Sequence, residues 1–246
     1  MDLLPVWLLL AAPFVGSFLG VLVLRLPKRE PVVLDVSRCD ACGNALRPHE
    51  LIPLASFLLQ RGRCRRCGAR IDPVHLIAEM GAIVVILWAA TQTSGWVLVS
   101  SSLFGWVLFA LALIDLRTGL LPDVLTLPLA AAGLAAAYLL SELHIADHII
   151  GALAGFAAFA GVGVLYRILR GREGMGQGDA KLLGAIGAWV AWRGLPTVIL
   201  FAALGGLLMA AMLHRGGQLT AQSRIAFGAP LALAGWLVWL YGPLTS

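Results

Sequence analysis

Residues 95–115 read GWVLVSSSLFGWVLFALALID, an apolar stretch that carries no charge until its last residue, Asp115. An α-helix of about 20 residues crosses the hydrocarbon core of a bilayer, so the stretch predicts a transmembrane helix that ends on a carboxylate. Ionisable side chains at membrane depth are costly and usually functional. The stretch therefore predicts a membrane fold and a site at the membrane edge.

The composition of the whole chain agrees with a membrane fold. Of its 246 residues, 60% are hydrophobic and 13% are charged, and the mean hydropathy is +0.89; soluble domains contain about 25% charged residues. The pattern predicts an all-α polytopic membrane protein. About eight transmembrane helices are predicted, near residues 3–25, 76–93, 95–115, 123–140, 149–169, 181–192, 195–213 and 226–244.

Two of these spans need an interpretation. The stretch Leu3 to Leu24 lacks a preceding basic segment and ends at Arg25, which is typical of a first transmembrane helix and not of a cleaved signal. The span 181–192 is short for a full crossing. It is either tilted or joined to the next span at residues 193–196, where Gly194 and Pro196 suit a tight turn.

The positions of Lys and Arg predict the orientation, because basic residues favour cytoplasmic loops. The polar stretch 26–75 is rich in arginine, and alternate loops downstream carry further basic residues: Arg117, Arg167, Arg170, Arg172, Arg215 and Arg224. The opposite loops, such as 141–148, have no Lys or Arg, with Arg193 as the exception. We expect the large loop in the cytoplasm and both termini outside. The net charge of +5 then reflects topology and not nucleic-acid binding.

All four cysteines lie in the large loop, as two CxxC pairs: Cys39, Cys42, Cys64 and Cys67. Two such pairs are typical of zinc ribbons, in which each pair holds one side of a tetrahedral ion. Gly43 and Gly68 follow the pairs, where the chain must turn back. Two disulfides or redox cysteines are the alternative, although disulfides are disfavoured in the cytoplasm. We expect a structural zinc.

Three aspartates are predicted at the cytoplasmic membrane boundary: Asp115, Asp123 and Asp179. Asp179 lies near a predicted helix start, after glycines 174, 176 and 178, which would let the backbone approach another segment closely. Two aspartates brought together can share a proton, so that one activates water and the other protonates a carbonyl, as in aspartyl proteases.

Helix capping is the plainer interpretation of these carboxylates. It suits Asp123, which follows Pro122 as an N-cap or first-turn residue. It does not explain Asp115 at a helix C-terminus, where the helix dipole disfavours an anion. Glu79 also lies in an apolar stretch, and structural and functional roles for it remain equally open.

The ordered motifs resemble those of the type IV prepilin peptidases, the GxGD membrane aspartyl proteases of pilus and type II secretion systems. The resemblance runs nearly end to end. Its motifs are Ser17–Gly20 with Arg25–Pro27, the two CxxC pairs with Ser56 and Gly62–Cys64, Glu79, Ile114-Asp115 with Leu121–Asp123, Gly174–Asp179 with Lys181-Leu182, and Phe227–Pro230.

The resemblance implies that Asp115 and Asp179 are the catalytic pair, supported by Gly176, Gly178, Lys181, Asp123 and Glu79. It implies cleavage of basic leaders from prepilins or pseudopilins at the inner membrane, and N-methylation of the new N-terminus with S-adenosylmethionine. Residues 1–93 would form the methyltransferase-like part and residues 94–246 the peptidase part. The family's Asn-Ile-Pro reads Leu51-Ile52-Pro53 here, and its Tyr-Pro reads His75-Leu76. Both departures fall in the methyltransferase part.

Two other functional classes are weighed against the peptidase. A transporter would use membrane aspartates as ion sites, but it favours carboxylates near mid-membrane and repeated halves, which this sequence does not show. A non-catalytic zinc-ribbon membrane scaffold would use only the cysteine loop. Incubation with a prepilin separates the three classes, because only a peptidase shortens it.

Overall fold

A computed structural model describes residues 3–32, 37–140, 144–171, 176–216 and 226–244. These residues form helices and turns with two isolated β-bridges. The α-helices are α1 (Leu4–Arg25), α2 (Ala55–Leu59), α3 (Val74–Ala90), α4 (Gly95–Thr118), α5 (Asp123–Leu139), α6 (Ile145–Arg170), α7 (Gln177–Arg215) and α8 (Gly228–Tyr241). Short 3₁₀ helices cover Leu26–Lys28 and Pro48–Leu51.

The predicted all-helical class is confirmed, and most predicted spans coincide with one helix each. Four described helices are long and apolar enough to cross a membrane: Leu4–Lys28, Gly95–Thr118, Ile145–Arg170 and Gln177–Arg215. Shorter apolar helices cover Val74–Ala90, Asp123–Leu139 and Gly228–Tyr241.

The predicted turn between the sixth and seventh spans is wrong. Both spans lie in α7, whose single non-helical residue is Ala191, with φ 58° and ψ 178°. Pro196 explains why the break precedes the expected turn, because a proline clashes with the carbonyl of the residue four positions earlier and distorts the turn before it. The chain resumes its helix through Gly194 and Pro196 without a loop.

Side chains of α6 stabilise this break. The Nδ1 of His148 donates to the carbonyl oxygen of Ala188 at 2.9 Å, and the indole N–H of Trp192 donates to Asp147 at 3.1 Å. A helix break frees backbone carbonyls of the preceding turn, and a buried carbonyl without a partner is costly. His148, which is buried, therefore supplies a donor where the helix lacks one.

The chain divides into two compact units, Met1–Ser102 and Leu103–Ser246. In the first unit α1 packs on α3 at very short range, because a Cβ at Gly16 would lie 2.5 Å from the Cα of Glu79. The segment between these helices folds into two cysteine hairpins and α2.

In the second unit α7 is the central helix and contacts α5, α6 and α8. Gly187 and Gly151 bring α7 and α6 into backbone contact, so that a Cβ on either would overlap the other's carbonyl. Trp189 is buried, stacks on Phe104 with ring centroids 4.5 Å apart, and donates its indole N–H to the carbonyl of Leu129 at 2.8 Å. These contacts position the first half of α7 against α4, α5 and α6.

Some predicted features lie outside the described residues. They are Gly174 of the glycine motif, the loop residues Arg172 and Arg224, and the first part of the 141–148 loop, residues 141–143.

The glycine contact between α6 and α7 can be tested by adding one methyl group. Gly187→Ala should destabilise the protein by about 1–3 kcal/mol, because the added Cβ meets rigid backbone of Gly151. Gly161→Ala is the matched control on α6, since a Cβ there meets no atom within 4 Å. Thermal unfolding of the two variants in detergent checks this, and equal midpoints would contradict the packing described.

Candidate active site and cysteine cluster

Asp115 lies in the last turn of α4 and is 5% exposed. The helix ends where it does because Gly119 adopts a left-handed φ of 65° and donates its N–H to the carbonyl of Asp115 at 2.8 Å. The carboxylate is thus held at the C-terminal end of its own helix, where the dipole opposes a negative charge. It needs donors from elsewhere.

These donors come from the start of α8. The N–H of Ala229 donates to Oδ2 of Asp115 at 3.0 Å, and the N–H of Gly228 also faces this carboxylate. A Cβ at Gly228 would lie 2.8 Å from the same oxygen, so only glycine allows the approach. Gly228 and Ala229 belong to the motif Phe227–Pro230, from which the sequence alone predicts no role in the site. Pro230 is the residue that could indicate such a role, because proline favours the first turn of a helix, where backbone N–H groups lack helix partners and can bind a carboxylate.

Asp179 is the third residue of α7 and is half-buried. Its carboxylate accepts the backbone N–H of Gly176, the residue that caps the helix, in the manner of one half of a capping box. The prediction that Asp179 lies near a helix N-terminus is therefore confirmed. Asp179 also feels the charge of Asp115, so the structure brings these two predicted residues together.

Leu121, in the connection between α4 and α5, lies against Gly178 at the start of α7 and Gly228 at the start of α8. A Cβ at Gly178 would lie 2.9 Å from the Cβ of Leu121, and one at Gly228 would lie 3.0 Å from its Cδ1. The close approach predicted for the glycine motif is thus real at Gly178, and it is an approach to Leu121. The start of α7, the start of α8 and the end of α4 therefore meet at this point.

Asp123 opens α5 as predicted, but its side chain does not cap the helix. Instead Lys181 donates to both of its carboxylate oxygens, at 2.8 and 2.7 Å. Lys181 lies on α7, two residues after Asp179. This partly exposed ion pair joins the starts of α5 and α7, and it gives Asp123 a positioning contact that the sequence did not reveal.

The four cysteines converge. Each CxxC pair forms a small hairpin in which the backbone N–H of the first cysteine donates to the carbonyl oxygen five residues later. The N–H of Cys39 donates to Asn44, and that of Cys64 donates to Ala69. The turns at Gly43 and Gly68, with φ of 68° and 72°, are as predicted. All four Sγ atoms lie within 4.8 Å of one another and none is in a disulfide.

The thiol chemistry of this cluster suits a cation. The backbone N–H groups of Cys67 and Arg66 lower the pKa of the Cys64 thiol to about 7. At Cys67 the N–H of Ala69 also lowers the pKa, but desolvation and the three neighbouring thiols outweigh it and raise the pKa to about 11. The thiols therefore titrate as one interacting set, in which a thiolate on one sulfur opposes ionisation of the others, and a central cation would remove this opposition.

The spacing of the sulfurs fits zinc. Tetrahedral zinc with bonds of about 2.3 Å to sulfur separates its ligands by about 3.8 Å, and the Sγ atoms of Cys39 and Cys67 are 3.8 Å apart. The set holds four ligands, which is the number found in closed structural sites.

Glu79 belongs to the first unit and is 6% exposed. Its Oε2 accepts the N–H of Leu54 at 2.6 Å. Leu54 has a φ of 61°, which is unfavourable for a residue other than glycine. The contact thus fastens the turn before α2 to α3.

A cavity of about 210 Å³ lies within the first unit. Its wall combines α1, both cysteine hairpins, α2 and the start of α3, and it includes Ser17, Ser56, His75 and Glu79. The cavity therefore offers polar and charged groups to a small ligand.

Two protein-family models match this chain. Residues 10–93 match the bacterial peptidase A24 N-terminal domain, and residues 102–211 match the type IV leader peptidase family. No solved structure matches the chain.

Curated relatives carry the name prepilin leader peptidase/N-methyltransferase. One from Aeromonas hydrophila is 38% identical over 253 residues, and one from Pseudomonas aeruginosa is 36% identical over 254 residues. Each alignment covers 93% of this chain and 87% of the relative. With both family domains present in order and relatives aligned over most of their length, this chain belongs to the type IV leader peptidase family.

Proposed function

We propose that this protein cleaves the leader from type IV prepilins or type II secretion pseudopilins and N-methylates the new N-terminus, with Asp115 and Asp179 as the catalytic pair of the cleavage step. One observation carries the catalytic assignment. Two carboxylates, each bound by backbone N–H groups at a helix start, converge at the ends of α4, α7 and α8. Membership of the leader peptidase family supports the reaction.

The two carboxylates act as general base and general acid. They share one proton, so that the ionised carboxylate takes a proton from water while the protonated one donates to the carbonyl oxygen of the scissile peptide. The N–H groups of Gly176 and Ala229 orient the two side chains. The reaction forms no covalent intermediate with the protein.

The substrate and the site meet at the membrane edge. A prepilin combines a basic leader in the cytoplasm with an apolar helix in lipid, and its scissile bond lies between them. The basic loops of this chain support a topology in which the cysteine loop and the aspartate pair lie at the cytoplasmic face of the inner membrane and both termini lie outside. In this topology α7 counts as two of about eight spans, separated at Ala191.

Methyl transfer belongs to residues 1–93 and cleavage to residues 94–246. The cavity beside the cysteine hairpins has the polar and apolar lining that S-adenosylmethionine, the methyl donor, requires. Cys39, Cys42, Cys64 and Cys67 hold a structural zinc ion, which stabilises hairpins too small to have a core of their own.

The catalytic pair makes a direct prediction. Asp115→Asn and Asp179→Asn should each lower leader cleavage by about 10²–10⁴-fold, because each removes either the acid or the base. Asp123→Asn is the control, since it weakens only a partly exposed ion pair with Lys181. Mass spectrometry of a prepilin incubated with each purified variant measures the rates. Wild-type cleavage rates in Asp115→Asn or Asp179→Asn would refute the assignment of the catalytic pair.

The contact between Asp115 and α8 predicts a second phenotype. Gly228→Ala should lower the cleavage kcat by about 10²-fold, because the new Cβ displaces the carboxylate from the N–H of Ala229 and small displacements of catalytic groups are costly. Gly163→Ala, where a Cβ meets open space, should cleave at the wild-type rate. Equal rates for both variants would show that the approach to Asp115 is not required.

The zinc cluster predicts separable activities. Cys64→Ser combined with Cys67→Ser should lose one zinc ion per chain and impair methylation while leaving much of the leader cleavage. Arg66→Gln changes an exposed side chain within the same hairpin and should keep the zinc. Elemental analysis and the mass of the processed pilin measure both effects. If the cysteine variant inserts stably but cleaves as poorly as Asp179→Asn, the two-part assignment is wrong.

A further inference from the structure

Glu79 leaves one carboxylate oxygen without a protein partner. Its Oε2 accepts the N–H of Leu54, but within the described residues no hydrogen bond or ion pair reaches Oε1. The residue is 6% exposed and lines the cavity of the first unit. Oε1 is not among the described atoms that are fully enclosed by protein without a partner, so this oxygen is reachable from the cavity. The geometry therefore points to a ligand as the missing partner.

The ligand group must be a donor and preferably a cation. An ionised carboxylate only accepts hydrogen bonds, and its bonds to charged donors are the strongest. Glu79 and Ser17 are the lining residues farthest along α3 and α1 from the cysteine loop, so they form the floor of the cavity. Below them Gly16 brings α1 against the backbone of Ala78 and Glu79. The floor accommodates a compact head group, and a primary ammonium fits this description.

We propose that Glu79 binds a primary ammonium group at the floor of this cavity, and that this group is the new N-terminus of the processed pilin. The inference rests on the proposed methyl transfer. The methyl donor also carries an ammonium group, so the same chemistry has two sources. The pilin is favoured because its amine must lose a proton before it can be methylated, whereas the ammonium group of the donor takes no part in the reaction. Among the described residues that line the cavity, Glu79 is the one buried carboxylate that can take this proton.

The role fits the chemistry of N-methylation. The bound ammonium gives a proton to the free oxygen of Glu79 and becomes a neutral amine. The amine nitrogen attacks the methyl carbon of the sulfonium donor, so that an N–C bond forms, the S–C bond breaks and a neutral thioether leaves. The product is a methylammonium ion, and the proton on Glu79 returns to water. Glu79 thus both orients the amine and removes its proton.

A double-mutant cycle between Glu79 and the amine tests the proposal. The probes are a peptide with the N-terminal sequence of a processed pilin and its des-amino analogue, which lacks the ammonium group. The wild-type protein should bind the amine peptide about tenfold more tightly or better, as expected for a hydrogen-bonded charge pair. Glu79→Gln keeps an acceptor for Leu54 and should abolish the preference. Glu30→Gln removes an exposed carboxylate from the same cavity and should leave the preference within about twofold.

A second cycle identifies the source of the ammonium. It repeats the measurement with S-adenosylhomocysteine and its des-amino analogue. Coupling of Glu79 to the peptide amine supports the proposal. Coupling only to the amino-acid ammonium group of S-adenosylhomocysteine assigns the site to the methyl donor and overturns the proposal. Coupling to neither also overturns it.

Folding and the methyl-transfer assignment are checked separately. Leader cleavage and zinc content report whether Glu79→Gln is folded. If this variant does not fold, the test uses Glu79→Asp and the preference of the wild-type protein for the amine peptide. The absence of that preference in the wild-type protein refutes the site. If the wild-type protein shows the preference but never methylates, methyl transfer fails while the ammonium site stands. Methylation without the preference refutes the ammonium site alone.

Discussion

The hydrogen bond from the N–H of Ala229 to Asp115 is the contact on which the candidate active site depends. Asp115 sits in the last turn of α4, where the dipole of its own helix is unfavourable to an anion. The first turn of α8 has the opposite polarity and free N–H groups. The N-terminal dipole of α8 thus offsets the unfavourable C-terminal dipole of α4. Because a buried carboxylate without donors is costly, α8 must begin beside Asp115. Leu121, packed against Gly178 and Gly228, extends this constraint to the start of α7.

Much of this arrangement is predictable from local sequence. Apolar length predicts the helices, and a carboxylate beside glycines at the start of an apolar run predicts that Asp179 lies in a first helical turn, as it does. The glycine after each CxxC pair predicts a left-handed turn, which Gly43 and Gly68 adopt. These features depend on the conformations allowed to residues a few positions apart, so the local pattern is sufficient.

The remaining features join residues that are distant in sequence. The donor and acceptor of the Ala229 to Asp115 bond are 114 residues apart, and Lys181 and Asp123 are 58 apart. No periodicity encodes such pairs, because they follow from how helices pack. The break in α7 shows the same limit: Gly194 and Pro196 predict a turn at their own positions, but the strain is relieved at Ala191, where His148 of α6 satisfies the turn before it.

The two carboxylates that are buried among the described residues, Asp115 and Glu79, differ in their hydrogen-bond partners, and this difference separates their chemistry. Asp115 is faced by two backbone N–H groups at a helix start, which fix its orientation. Glu79 has one backbone donor, and its other oxygen faces a cavity. Cleavage requires a carboxylate held in place beside a second one, so that water and peptide are positioned between fixed groups. Methylation requires a carboxylate that first captures an ammonium and then accepts its proton, so one oxygen must stay free until the substrate arrives. The hydrogen-bond partners of each carboxylate therefore match the step assigned to it.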